Sequence, residues 1–180
     1  MFKKIRPLPI LFAACALLAL PLASNAADGE VRITGNITTN TCEITTGSGG
    51  VHAVTLPTVM ASALSGAGET AGRTPFTVQL ANCSPDSGIV ALYFELGANT
   101  DMATGRLINT GAATGVQVRL LNGDMTPIAL NQLTSLAQNS KSVSIASGSA
   151  TLNYFAEYYA TGVAQAGTVS TSTFFSIDYP

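Results

Sequence analysis

The chain has 180 residues with eight basic and ten acidic side chains, three cysteines, one histidine and no tryptophan, and only 10% of its residues are charged. That balance gives neither a basic footprint for nucleic acid nor a polybasic stripe for anionic lipid, so neither partner is expected. A single histidine and scattered carboxylates also leave little material for catalysis.

In chain order, residues 1–26 read as an export signal. Lys3, Lys4 and Arg6 form a charged head, residues 10–22 an apolar run, and Ser24-Asn25-Ala26 a small-x-small cleavage site. The run is too short to span a bilayer comfortably. Cys15 follows small and apolar residues and invites a lipoprotein reading, but cleavage there would split the run. Residues 27–180 keep five basic against ten acidic side chains, a formal charge of −5. They are enough for one domain with a sizeable core.

The stretch "GEVRITGNITTNTC" then alternates Val31, Ile33 and, beyond Gly35, Ile37, the pattern of a half-buried strand. Further strands are expected at 51–56, 76–80, 89–96, 116–120, 143–145, 152–158 and 169–179. Turn signals rich in Gly, Ser, Asn and Asp separate them. A helical turn fits only at 59–64. Short strands at this spacing, without a long helical period, predict an all-β sandwich.

On the strand at 152–158, Tyr154 and Tyr158 share one face with Ala156, while Phe155 and Tyr159 share the other with Glu157. That arrangement reads as sheet-face packing before sugar stacking. On the last strand Val169, Thr171, Thr173, Phe175, Ile177 and Tyr179 share a face, and no following segment is left to cover its edge.

Cys42 and Cys83 survive removal of the leader. In an exported chain such a pair is expected as a disulfide, against a metal pair or a reactive thiol that would need other ligands or a base nearby. His52 reads as an exposed loop or strand-end residue. There is no Gly-x-Ser-x-Gly turn, no calcium-loop spacing and no dinucleotide fingerprint in "GAGETAG", residues 66–72. No enzyme, cofactor or metal site is expected.

Three segments carry a resemblance: "GNITTNTC" ending at Cys42, "PFTVQLANC" ending at Cys83, and the ending "YYATG…AGTVSTSTFFSIDYP". Behind an export signal, they make residues 27–180 resemble subunits of chaperone–usher pili, the type 1 fimbrial family. A glycine fourteenth from the C-terminus and a penultimate tyrosine belong to that pattern, and Gly167 and Tyr179 stand there.

The resemblance implies an incomplete Ig-like sandwich that lacks one strand and is completed by a strand from another subunit. Residues 27–35 would be the donor extension, with Val31 and Ile33 entering a neighbour's core and Gly29 and Gly35 where backbones approach closely. Gly167, Val169, Phe175, Ile177 and Tyr179 would form the edge that meets first a periplasmic chaperone and then, at the outer-membrane usher, a neighbouring subunit. Residues 36–180 would be the pilin domain. The implied destination is a fimbrium on the cell surface, without direct membrane insertion. The short extension leans toward a minor tip adaptor over a major rod subunit. A self-contained, secreted Ig-like binding module is the rival from another class.

Overall fold

The computed structural model describes residues 30–35, 37, 39–47 and 51–180. The expected leader, its cleavage site and Gly29 lie outside the described residues. The chain divides into two units, Met1–Ile37 and Thr38–Pro180. In the first, residues 30–35 and 37 take no strand, and the side chains of Val31, Ile33 and Ile37 are exposed.

The described residues of the second unit are all β apart from one 3₁₀ turn, Ala61–Leu64, inside the stretch where a helical turn was expected. Its strands are β1 (Thr41–Ile44), β2 (Thr70–Ser84), β3 (Gly88–Phe94), β4 (Leu107–Ile108), β5 (Thr114–Asn122), β6 (Val143–Ile145), β7 (Ala150–Gln165) and β8 (Phe175–Asp178). They form a five-stranded sheet in the order β1-β2-β7-β5-β4 and a three-stranded sheet in the order β6-β3-β8. Every pairing is antiparallel.

Alternation explains the sandwich. Along β7 the even positions, from Ala150 through Leu152, Tyr154 and Ala156 to Ala160, are buried except for half-buried Tyr158. Ala150, Leu152, Tyr154 and Ala156 meet Val78 and Leu80 of β2, Val118 and Leu120 of β5, and Val90, Leu92 and Phe94 of β3 in one core, while Ala160 packs with Leu64, Val116 and Ala164 in a smaller cluster. Apolar side chains on every second residue give each sheet one face that must leave water, and stacking the two faces satisfies both.

The long connection between β5 and β6 adds Ile128 and Leu130, both essentially fully buried. Gln138, also fully buried, holds that connection to the end of β3. Its Oε1 accepts from the Phe94 amide at 3.0 Å and its Nε2 donates to the Phe94 carbonyl at 2.6 Å. One amide side chain thus replaces a rung of strand pairing.

The structure corrects several sequence expectations. The opening stretch is not a strand before Thr41, and β1 is the short segment that carries Cys42. Residues 52–60 form no strand, and residues 52–59 make no backbone hydrogen bond to another described residue. Of residues 169–179 only Phe175–Asp178 is strand; residues 169–174 are extended without a ladder on both sides. β2 and β7 run far beyond their apolar cores, to 15 and 16 residues, because each is held between two neighbours where local polarity does not matter.

The disulfide is present. Cys42 of β1 bonds to Cys83 at the end of β2, across 41 positions of sequence. It staples the edge strand of the large sheet where the register shifts between Thr41 and Glu43. Removing the cross-link by Cys83→Ala is expected to lower unfolding stability by about 4 kcal/mol, the loop-entropy value for a closure of this length. The check is denaturant unfolding of the oxidised wild type beside the variant.

Candidate functional site

The sandwich has an open side. A groove of ≈ 730 Å³ runs over its core, with Phe76, Phe94, Leu107, Val118, Leu120 and Tyr158 among its lining residues. Residues 51–56 and residues 169–175 line it as well. A second cavity of ≈ 550 Å³ shares Tyr158 and Val169 with it and reaches Gly167, Ala113 and Leu64.

Both bordering segments are short of backbone partners. Residues 52–59 make no backbone hydrogen bond to another described residue. In residues 168–174 the even positions turn their backbone inward to the sandwich. Thr168 and Ser170 carbonyls accept from the Ala113 and Thr110 amides at 3.0 and 2.8 Å, and the Phe174 carbonyl accepts from Glu95 at 2.8 Å. The Ser170 amide donates to Asn109 Oδ1 at 2.8 Å.

The odd positions Val169, Thr171 and Thr173 have no backbone partner among the described residues. In an extended chain the N–H and C=O of one residue point to the same side, so these three face the open edge. Phe175 and Ile177 continue that phase in β8, whose ladder with β3 leaves its other edge unpaired.

Side chains follow the same phase. Val169, Thr171, Thr173, Phe175, Ile177 and Tyr179 are half-buried, while Ser170, Ser172, Phe174 and Ser176 are exposed. Val169, Phe175, Ile177 and Tyr179 all pack on the main core. Val169 and Phe175 also line the groove, whereas Gly167 lines the adjoining cavity.

Gly167 has a steric reason to be glycine. A Cβ there would lie 2.4 Å from the Ala113 nitrogen and 2.6 Å from the Ala112 carbonyl carbon, both backbone atoms that cannot yield. At Gly35 a Cβ would meet nothing within 4 Å.

An aromatic series ties the walls to the floor. The His52 ring lies 5.7 Å from Phe76, Phe76 stacks on Tyr154 at 5.5 Å, Tyr154 meets Phe94 edge-on at 5.4 Å, and Phe94 meets Phe175 at 6.4 Å. Tyr154 and Tyr158 therefore face the core with Ala156, as the alternation predicted. His52 departs from its expected place. It is half-buried on the groove wall, with its Nδ1 buried and without a hydrogen-bond partner among the described residues.

Burial pushes the Tyr158 phenol upward, and also that of Tyr179, against a hydrogen bond from the Cys42 backbone. Both rings are thus uncharged near neutrality, and the groove offers an apolar surface with hydrogen-bonding rails. Among the described residues no group of three or more His, Cys, Asp or Glu converges to hold a metal ion. Sequence reasoning missed the wall at 52–59 and the floor residues Phe76, Phe94 and Leu107. A warning sign was present in Val54 and Leu56, which alternate like a strand but are not followed by a hairpin signal.

Replacing Gly167 by Val is expected to push residues 167–170 off the 110–113 segment and to lower stability by about 1–3 kcal/mol, the range for forcing extra atoms against fixed neighbours. The readout is the midpoint of denaturant unfolding, and loss of fold above the wild-type level in periplasmic extracts serves as a second measure.

Residues 56–180 match the family Type-1 fimbrial protein, A. The major fimbrial subunit SMF-1 of Stenotrophomonas maltophilia is 47% identical over 169 residues, covering 91% of this chain and 99% of that protein. The F17 fimbrial protein of Escherichia coli is 42% identical over 164 residues, covering 87% and 90%. In fold, the chain resembles a subunit from the structure of a chaperone–usher pilus, with a TM-score of 0.58 at 17% identity over 86% of this chain and 96% of that one. The chain belongs to the type-1 fimbrial protein family: it is a fimbrial subunit, an extracellular pilus component, and its all-β sandwich shares the fold of subunits from chaperone–usher pili.

Proposed function

We propose that this subunit polymerises by strand donation, with residues 27–35 filling the groove of one neighbour while its own groove receives the extension of another. The supporting observation is the pair of backbone edges without partners among the described residues, at 52–59 and at Val169, Thr171 and Thr173, beside an apolar floor. A strand laid between them would complete both ladders and cover the core, which is how strand addition recognises a partner.

Val31 and Ile33 are 87% and 88% exposed. Burying them in a neighbour would contribute roughly 1.5–3 kcal/mol each, with about 1 kcal/mol for each backbone bond made. Residues 1–26 would be the export leader and 36–180 the pilin domain. Before assembly a periplasmic chaperone would occupy the edge formed by Gly167, Val169, Phe175, Ile177 and Tyr179, and the exchange would take place at the outer-membrane usher.

The short extension favours an adaptor. Against it stands the 47% identity, over nearly the whole length, to a protein described as a major subunit, and we read the chain as the repeating subunit of the shaft.

Ile33→Asp tests the donor role. A carboxylate in a neighbour's core costs several kcal/mol even after relaxation, comparable to what Val31 and Ile33 supply. Folding, the disulfide and chaperone co-purification are expected to survive, while insertion into a preceding chaperone–subunit complex is expected to stop. Normal strand exchange by the variant contradicts the donor role, and misfolding of the subunit favours the self-contained module.

A further inference from the structure

On the outer face of the large sheet, away from the groove, three of the five basic residues in 27–180 converge: Arg73, Arg106 and Arg119. The odd positions of β7 present Glu157 and Tyr159 to that face, opposite Arg119 and Gln117 of β5. Arg73 arrives from the β2 bulge between Ala71 and Thr74, where Gly72 has φ +66° and a Cβ would strike the Tyr158 ring at 2.9 Å. Arg106 directly precedes β4.

All three guanidinium groups are anchored through Nε. Arg73 Nε donates to Glu157 Oε2 at 2.8 Å, Arg119 Nε to Glu157 Oε1 at 2.9 Å, and Arg106 Nε to Gln117 Oε1 at 2.7 Å. Gln117 is itself fixed by donating to Asp101 Oδ2 at 2.6 Å. The Arg106 and Arg119 guanidinium carbons lie 4.0 and 5.0 Å from the Tyr159 ring centroid. Arg119 gives one terminal nitrogen to Glu157, and Arg73 gives one to Met125 Sδ at 3.2 Å. The other terminal nitrogens, including both of Arg106, have no acceptor among the described residues.

Glu157 is 1% exposed, so a charge has been taken out of water to hold two cations still. For stability alone, a buried ion pair is seldom better than apolar packing. What the arrangement does achieve is a set of oriented, donor-rich forks, the geometry that suits oxyanions. Even counting Asp101, cations outnumber anions on this face, in a chain whose residues 27–180 are net acidic.

We propose that this face is a binding surface for an acidic polysaccharide, its sulfate or carboxylate groups received by Arg73, Arg106 and Arg119. The strands that carry the forks, β2, β7, β5 and the start of β4, span roughly 14 Å at ordinary strand spacing. A flat surface of that span fits successive anions on a linear polymer. Identical faces repeated along a fimbria would bind one such polymer many times over, so a weak single site becomes a strong collective one.

The test uses purified assembled fimbriae and an immobilised heparin octasaccharide, with a hyaluronan octasaccharide as the carboxylate-only probe. Wild-type fimbriae are expected to bind heparin in a salt-sensitive manner. Binding to hyaluronan as well assigns oxyanions in general, and binding to heparin alone assigns sulfate esters. Arg106→Gln, which leaves the Glu157 pair intact, is expected to weaken binding about fivefold or more, Arg106→Lys to weaken it less, and Lys141→Gln to leave it unchanged. Glu157→Gln makes the face more positive yet frees Arg73 and Arg119, and binding is expected to fall. Absence of wild-type binding at low ionic strength, equal losses from Arg106→Gln and Lys141→Gln, or a gain from Glu157→Gln would each overturn the proposal. So would unchanged heparin binding with loosened shafts in Arg106→Gln, which would make the face a contact between copies.

Discussion

An apolar core with two backbone edges beside it and no strand between them is the constraint on which the rest of the molecule turns. Water over the half-buried Phe76 and Tyr158 is costly, and the amides and carbonyls of Val169, Thr171 and Thr173 have no backbone partner among the described residues. A single extended segment removes both costs at once. Under the proposed strand donation, that coupling would let a fimbrial subunit hold its neighbour without a large conventional interface, because the partner's strand would become part of the fold. Release would then demand partial unfolding, and the joint would be kinetically as well as thermodynamically durable.

An open sandwich needs rigidity from elsewhere, and the fold supplies it around the groove's margins. The Cys42–Cys83 bond secures the edge strand β1, the Gln138 amide clamps the end of β3, and the close approach at Gly167 keeps residues 167–170 on the 110–113 segment. Each device acts beside the open edge without occupying it. The outer sheet face is organised by a different economy of charge, with Glu157 at its centre and Tyr159 between guanidinium groups. Because β7 alternates strictly, Tyr154, Ala156 and Tyr158 serve the core while Glu157 and Tyr159 serve the outside.

The sheet faces were legible in the sequence because period-two alternation is a local property. Residues 143–145 were read to the residue, and the inward face of Val169, Thr171, Thr173, Phe175, Ile177 and Tyr179 followed from parity alone. Strand status was less legible, since a ladder needs a neighbour. Residues 52–56 carry a strand-like pattern but make no backbone hydrogen bond to a described residue, and 169–174 are bonded on one side only, so the pattern and the hydrogen bonding part company there. Gly167 could be named from family resemblance, but its reason, the backbone of Ala112 and Ala113 at contact distance, is tertiary. The groove floor gathers Phe76, Phe94, Leu107 and Val118 from four strands, and no spacing in the chain announces that meeting. The arginine face was hidden for the same reason, its members lying far apart in sequence until β2, β7 and β5 align them.

Amide hydrogen exchange, compared between assembled fimbriae and the monomeric subunit freed from its chaperone, tests the central claim most directly. The account predicts that Val169, Thr171, Thr173 and residues 53–55 exchange rapidly in the monomer and become strongly protected in the fibre, while the β7 core amides are slow in both. Equal, strong protection of the two edges in the monomer and in the fibre would contradict it, because the sandwich would then be complete without a neighbour's strand.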